Sequence, residues 1–407
     1  MARDPRAERP DSHCSRGLGV SAPLEGVRVL DLTRLLPGGY ATLLMADLGA
    51  DVVKVEEPVR GDYIRWMPPI VDGESTGHRS LNRGKRSVVV NLKDPAGAAL
   101  LRRLAPGFDV LVESFRPRVM DRLGVGPQAL ASVAPRLVYC AISGYGQDGP
   151  YRDRAGHDLN YIGHAGMLSL NGLSEGPPVV PVVQVGDLAG GGMAAVIGVL
   201  AALLERATTG RGRFVDTAMM DGVASWMSVH QGAFLQTGEE PRRGEMPLSG
   251  AFACYGVYEC ADGRWVTVGA LEPQFWTALC TALELPELVH TQFGPPEQQH
   301  EMRERLAEVF SSKPRDEWLS RLDGLEVCVG PVNSPSEALD DPQFAHRGLV
   351  ADVDGRPVGA ASPFVMDGER LERLSPAPGL GEHTDEVLRE AGLDAGEIER
   401  LGAGGVI

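Results

Sequence analysis

The chain has 407 residues, 43% hydrophobic and 23% charged, with 39 Lys and Arg against 55 Asp and Glu, for a formal net charge of −16. That length exceeds one ordinary core and implies two domains. The acidic balance disfavours nucleic acid as a partner, while leaving room for a local basic patch on a phosphorylated ligand.

Residues 1–22 are rich in Arg, Asp, Pro and Ser and lack the apolar middle of a secretory signal, so they read as a disordered leader. No uninterrupted apolar run reaches about 18 residues, and no membrane span is expected. Short apolar runs at 27–32, 51–56, 87–92, 109–114 and 136–143 read as buried strands. Helical patterns lie between them. One closes on Gly49; another opens with Asp94 as N-cap and Pro95 in the first turn. Strands alternating with helices imply a mostly parallel sheet covered on both faces, with ligands beyond the carboxyl ends of its strands. "LLPGGYA" does not match the dinucleotide fingerprint GxGxxG, and there is no Walker A motif, so NAD is not implied.

Residues 188–207 are apolar on nearly every helical face and should be buried. A strand and helix follow at 213–235, and 236–250 has linker composition. The texture then changes: 251–271 reads as a β-hairpin around Asp262-Gly263, followed by two helices. The six cysteines, Cys14, Cys140, Cys254, Cys260, Cys280 and Cys328, show no CxxC and no metal-ligand spacing. They read as free thiols in a reducing cytoplasm. The expected fold is α/β: a Rossmann-like large domain from 23–235 and 336–407, with a smaller α+β domain at 247–335.

Three stretches can carry chemistry. "GHDLNY" places His157 beside Asp158, which in a plain fold would be a polar turn. "VGDLAGGG" puts Asp187 at the mouth of the apolar helix, where a simple N-cap is the ordinary role. Three glycines in a first turn cost about 1 kcal/mol each relative to alanine, and they would let a ligand approach backbone amides. "VGALEPQF" sets Glu272 before Pro273 at a strand-to-helix junction, where an acid also favours the helix dipole. Together they suit proton transfer at carbon beside a carbonyl. His157 would be one acid/base, Asp187 a second on the opposite face, and Glu272 the partner that fixes the histidine tautomer. Amides at the helix mouth would hold the enolate oxygen.

These residues sit among longer motifs: "PLEGVRVLDLTRLLPGGYATLLMADLGADVVKVE", "LNRGKRSVVVNLK", "SFRPRVMDRLG", "SGYGQDGPY" and "GEHTDEVLREAGL". From about Pro23 to the C-terminus the chain resembles the CaiB/BaiF (family III) CoA-transferase superfamily, and within it the α-methylacyl-CoA racemases. The resemblance implies that His157 and Asp187 are the two acid/base groups and that Glu272 is the hydrogen-bond partner of His157. It implies CoA contacts at Lys54, at Val90, Asn91, Leu92 and Lys93, at Phe115, Arg116 and Arg122, and near Gly156 and Asp158. It further implies an interlocked homodimer in which Glu272 reaches the other chain's His157, and an acyl-CoA thioester substrate with no separate cofactor and no metal. Transferases of the superfamily use an aspartate near Asp187 as a nucleophile instead and lack the histidine. One departure stands out. Racemases of this kind carry Asn four residues before the aspartate, and here that position is Val183, which leaves Gln184 or Asp158 to orient the site. Met167, Met193, Met219, Met220 and Met227 are either core or a forgiving apolar lining.

Overall fold

The computed structural model describes residues 22–407; the expected leader and Cys14 fall almost wholly outside them. Six parallel strands form the main sheet: β1 (Arg28–Leu32), β2 (Asp51–Glu56), β3 (Arg86–Val89), β4 (Val110–Glu113), β5 (Val138–Ser143) and β6 (Phe214–Ala218). Their spatial order is β3-β2-β1-β4-β5-β6, so the topology reverses between β1 and β4, where ligands of doubly wound sheets bind. The strands are apolar on both faces because both are covered. Leu30, Val53, Leu111 and Tyr139 face one core, and Val29, Val52, Val110 and Val138 the other.

Helix α1 (Leu35–Asp47) covers one face. Helix α2 (Pro95–Leu104) covers the other and is capped as expected, with Asp94 Oδ1 accepting the Ala96 N–H at 2.8 Å. Near the site lies the short helix α3 (Asp158–His164). The apolar segment is a continuous helix whose opening turns, Gly186–Met193, are wound as a π-helix before the regular α4 (Ala194–Thr209). Helix α5 (Met219–Trp226) follows β6. The C-terminal helices α9 (Thr384–Glu390) and α10 (Ala395–Ala403) return to the α2 face through Val387, Leu388 and Ile398. Both ends of the described chain therefore build one core. A second core gathers an antiparallel sheet of β7 (Tyr255–Glu259), β8 (Trp265–Gly269) and β9 (Val329–Pro331) with α6 (Pro273–Ala282), α7 (Pro296–Phe310) and α8 (Arg315–Leu322) around Trp276, Phe310 and Trp318.

The segment Gly186–Thr209 keeps one expectation and departs from another. By length and composition it is apolar enough to cross a membrane, yet it packs on β5, β6 and α1. Nor is it buried all round. Ala195, Val196, Val199 and Ala202 are buried, whereas Ile197 and Leu204 are 67% and 76% exposed. One apolar face is thus left uncovered by the described residues of its own chain.

Candidate active site

The loops after β1, β4, β5 and β6 enclose a cavity of about 520 Å³. His157 and Asp187 both line it, with Gly156, Phe115, Arg116 and Met219. A larger cleft of about 640 Å³ beside β3 and the C-terminal helices brings no histidine to a carboxylate.

His157 is exposed and is the N-cap residue of α3, with its own N–H donated to Asn160 Oδ1 at 3.0 Å. Asp187 is partly buried inside the π-helical opening, so it is not the N-cap its position suggests. Burial first, and the neighbouring Asp158 carboxylate second, push its carboxyl from 3.8 up to about 7. Asp158 Oδ1 accepts the Asp187 backbone N–H at 2.9 Å. This bond holds the Asp187 backbone, whereas Val183 is exposed and Gln184 spends its amide on Val182 O at 3.2 Å.

The glycine reading requires correction. Gly190 and Gly222 face each other across the π-helix and α5 so closely that a Cβ on Gly222 would collide with the Gly190 backbone. A Cβ on Gly191 would stand 2.7 Å from Met219 Cγ, and one on Gly192 2.9 Å from Pro37 O. The glycines admit neighbouring helices rather than a ligand. The helix-mouth amides are also engaged, Asp187 N–H by Asp158 and Leu188 N–H by Gln184 O at 2.9 Å. They are therefore not free to hold an enolate. Beside His157, the first-turn amides of Asp158 and Leu159 have no acceptor among the described residues.

A second cavity, about 270 Å³, lies beyond β1, β2 and β3 and is lined by Val90, Asn91, Leu92, Lys93 and Phe115. The strand expected over 87–92 ends at Val89, which frees 90–93 to form this wall. Arg34, Tyr63 and Phe115 line both cavities. The Arg34 guanidinium sits 5.2 Å from the Tyr63 ring centroid and 5.3 Å from that of Phe115.

Two expected contacts lie elsewhere. Lys54 is 0% exposed and pairs with Asp62 at 2.9 Å, so its ammonium serves the interior rather than a CoA phosphate. Burial alone would lower its pKa, but Asp31, Asp62 and Glu56 outweigh burial and raise it. Arg122 is exposed and outside the lining of both cavities. Glu272 is the N-cap residue of α6, exposed, and outside the lining of the His157 cavity.

Sequence reasoning missed Arg34, Tyr63, Tyr145, Arg152 and Arg154 as lining residues. Arg34 stands at a strand end, a usable signal. Nothing local marks Tyr145, whose buried hydroxyl has no partner among the described residues.

Comparison with known proteins gives a consistent picture. Residues 24–384 match the model of CoA-transferase family III. The chain is 36% identical to the succinyl-CoA:glutarate CoA-transferase of Mus musculus, over 98% of this chain and 92% of that one. It is also 36% identical to the alpha-methylacyl-CoA racemase of Homo sapiens, over 94% and 97%. A solved CAIB/BAIF family protein from Brucella suis superposes with a TM-score of 0.82 at 31% identity, covering 91% of this chain and 100% of that one.

Proposed function

The chain belongs to CoA-transferase family III, and from that premise we propose that it racemises 2-methylacyl-CoA thioesters by 1,1-proton transfer. One observation carries this reading. A carboxyl held near pKa 7, Asp187, shares a cavity with the His157 imidazole, which sets two groups of acid/base chemistry in one site. His157 removes the α-proton from one face of the thioester. Asp187 returns a proton to the other, and the roles reverse for the opposite enantiomer. The two cavities, which share Arg34, Tyr63 and Phe115 in their walls, together suit the CoA moiety, with Arg34, Lys93 and Arg116 available to its phosphates. The reaction as written needs no metal, pyridoxal phosphate or nicotinamide.

We assign Glu272 to the His157 of a second copy in a homodimer. Its place outside its own chain's cavity and the uncovered apolar face of α4 support that assignment.

A second reading has its own support, since identity to the mouse transferase equals that to the human racemase. There Asp187 attacks a thioester carbonyl as a nucleophile, and His157 is dispensable. The test is a single enantiomer of a 2-methylacyl-CoA in D2O with no second acid present. Deuterium uptake with inversion, abolished in His157→Ala, is the expected result. Absence of uptake, with CoA transfer once a free carboxylic acid is added, would overturn the racemase reading.

A further inference from the structure

The wall between the two cavities is built on a strained turn. Leu35, directly after Arg34, has φ +60, a left-handed conformation that a leucine adopts only at a cost. Two bonds hold the turn there. Asp62 Oδ1 accepts the Leu35 N–H at 3.1 Å, and Ser114 Oγ accepts the Arg34 N–H at 3.0 Å. The same Asp62 oxygen accepts the Ile64 N–H at 3.1 Å and so caps the turn Tyr63–Trp66. The other Asp62 oxygen meets Lys54 Nζ at 2.9 Å, and that ammonium also donates to Thr33 O at 3.0 Å. One buried ion pair thus ties the residues on either side of Arg34 to the residue before Tyr63. Across this junction Arg34 Nη1 donates to Tyr63 Oη at 3.3 Å.

We infer that Asp62, anchored by Lys54, is a positioning residue that holds the Leu35 turn in its left-handed conformation and thereby fixes the Arg34–Tyr63 wall against which CoA binds. This rests on the two cavities being the CoA site, as in the function proposed above. It gives Lys54 a role other than the direct phosphate contact expected from sequence. It also makes a prediction opposite in sign to simple electrostatics. Asp62 is an acid on the wall of the smaller cavity. If it acted only through its charge, its removal would tighten binding of a polyanion. If it acts as a clamp, its removal loosens Arg34 and weakens binding, because the binding geometry is no longer held in advance.

The experiment measures free coenzyme A binding by calorimetry, and KM and kcat for a 2-methylacyl-CoA, in the full chain. Asp62→Ala should raise Kd about tenfold or more, with KM rising further than kcat falls. Leu35→Gly added to Asp62→Ala should recover much of that loss, because glycine takes a positive φ without a clamp. Asp62→Asn keeps an acceptor for both amides and should fall between. It carries the test if Asp62→Ala fails to fold. Unchanged or tighter CoA binding in Asp62→Asn, or no recovery by Leu35→Gly, would overturn the clamp. The expected Kd pattern with no α-exchange in the unaltered protein would sink the racemase reading and leave the clamp standing.

Discussion

The Asp158 carboxylate accepts the backbone N–H of Asp187 at 2.9 Å, and the same carboxylate helps hold the Asp187 side chain near pKa 7. One residue therefore places the acid/base and tunes it. Asp158→Asn keeps an acceptor for the amide while removing the like charge. The Asp187 limb of a pH–rate profile should move to lower pH in that variant, with the fold intact by circular dichroism. A limb that stays in place would mean that burial alone sets the proton affinity.

The pH profile separates the two functional readings. If His157 is the base, Asp187 must start protonated, and that direction slows as pH rises through about 7. If Asp187 is the base, the opposite enantiomer speeds up through the same range. Initial rates for the two enantiomers should therefore show opposing Asp187 limbs. A nucleophilic Asp187 must be ionised in every turnover, which predicts a rising limb for every acyl donor.

Stability should respond to Asp187 with a definite sign. Its folded pKa is raised from 3.8 to about 7, so below pH 4 both folded and unfolded states keep the proton and there is no penalty. Between 4 and 7 the unfolded chain ionises while the folded one does not, and folding stability is lost as pH rises. Above 7 the penalty is complete. Asp187→Asn should leave the melting temperature nearly unchanged at pH 4 and raise it at pH 8. The gain is at most a few kcal/mol, at about 1.4 per pH unit. An equal effect at both pH values would contradict the raised pKa.

Close approach of the π-helix and α5 makes Gly222 intolerant of a methyl group. Gly222→Ala should destabilise by about 1–3 kcal/mol through overpacking against Gly190. Gly232 lies in the helix Ser228–Thr237, and a Cβ there meets nothing within 4 Å. Gly232→Ala should instead stabilise by up to about 1 kcal/mol. Paired thermal melts check both, and a benign Gly222→Ala would refute the packing role of the glycines.

Tyr145 is 8% exposed, and its hydroxyl has no hydrogen-bond partner among the described residues, unlike Tyr161, which donates to Gly156 O. Deleting an unsatisfied buried hydroxyl costs no bond and relieves its desolvation. Tyr145→Phe should melt at or above the temperature of the unaltered protein, and a clear drop would show that the hydroxyl is satisfied in solution.

The sequence by itself determined the parallel α/β sheet, because runs such as 27–32 and 51–56 alternate with helical patterns and each signal is local. It also singled out His157 and Asp187, since neither residue type is demanded by periodicity where it stands. It did not reveal that Lys54 turns inward, because a strand lysine reads as surface charge until its partners arrive, Asp31 from the neighbouring strand β1 and Asp62 from the turn before Tyr63. Nor did it reveal what the glycines at 190–192 serve, because their neighbours Pro37 and Met219 are distant in the chain. The apolar run at 188–207 could be read as a helix, but not which of its faces stays open. Local conformation follows from neighbours in sequence, whereas burial, proton affinity and close packing follow from groups that only folding brings together. Asp187 shows the division: its place was readable in the sequence, and its pKa near 7 was decided by the fold.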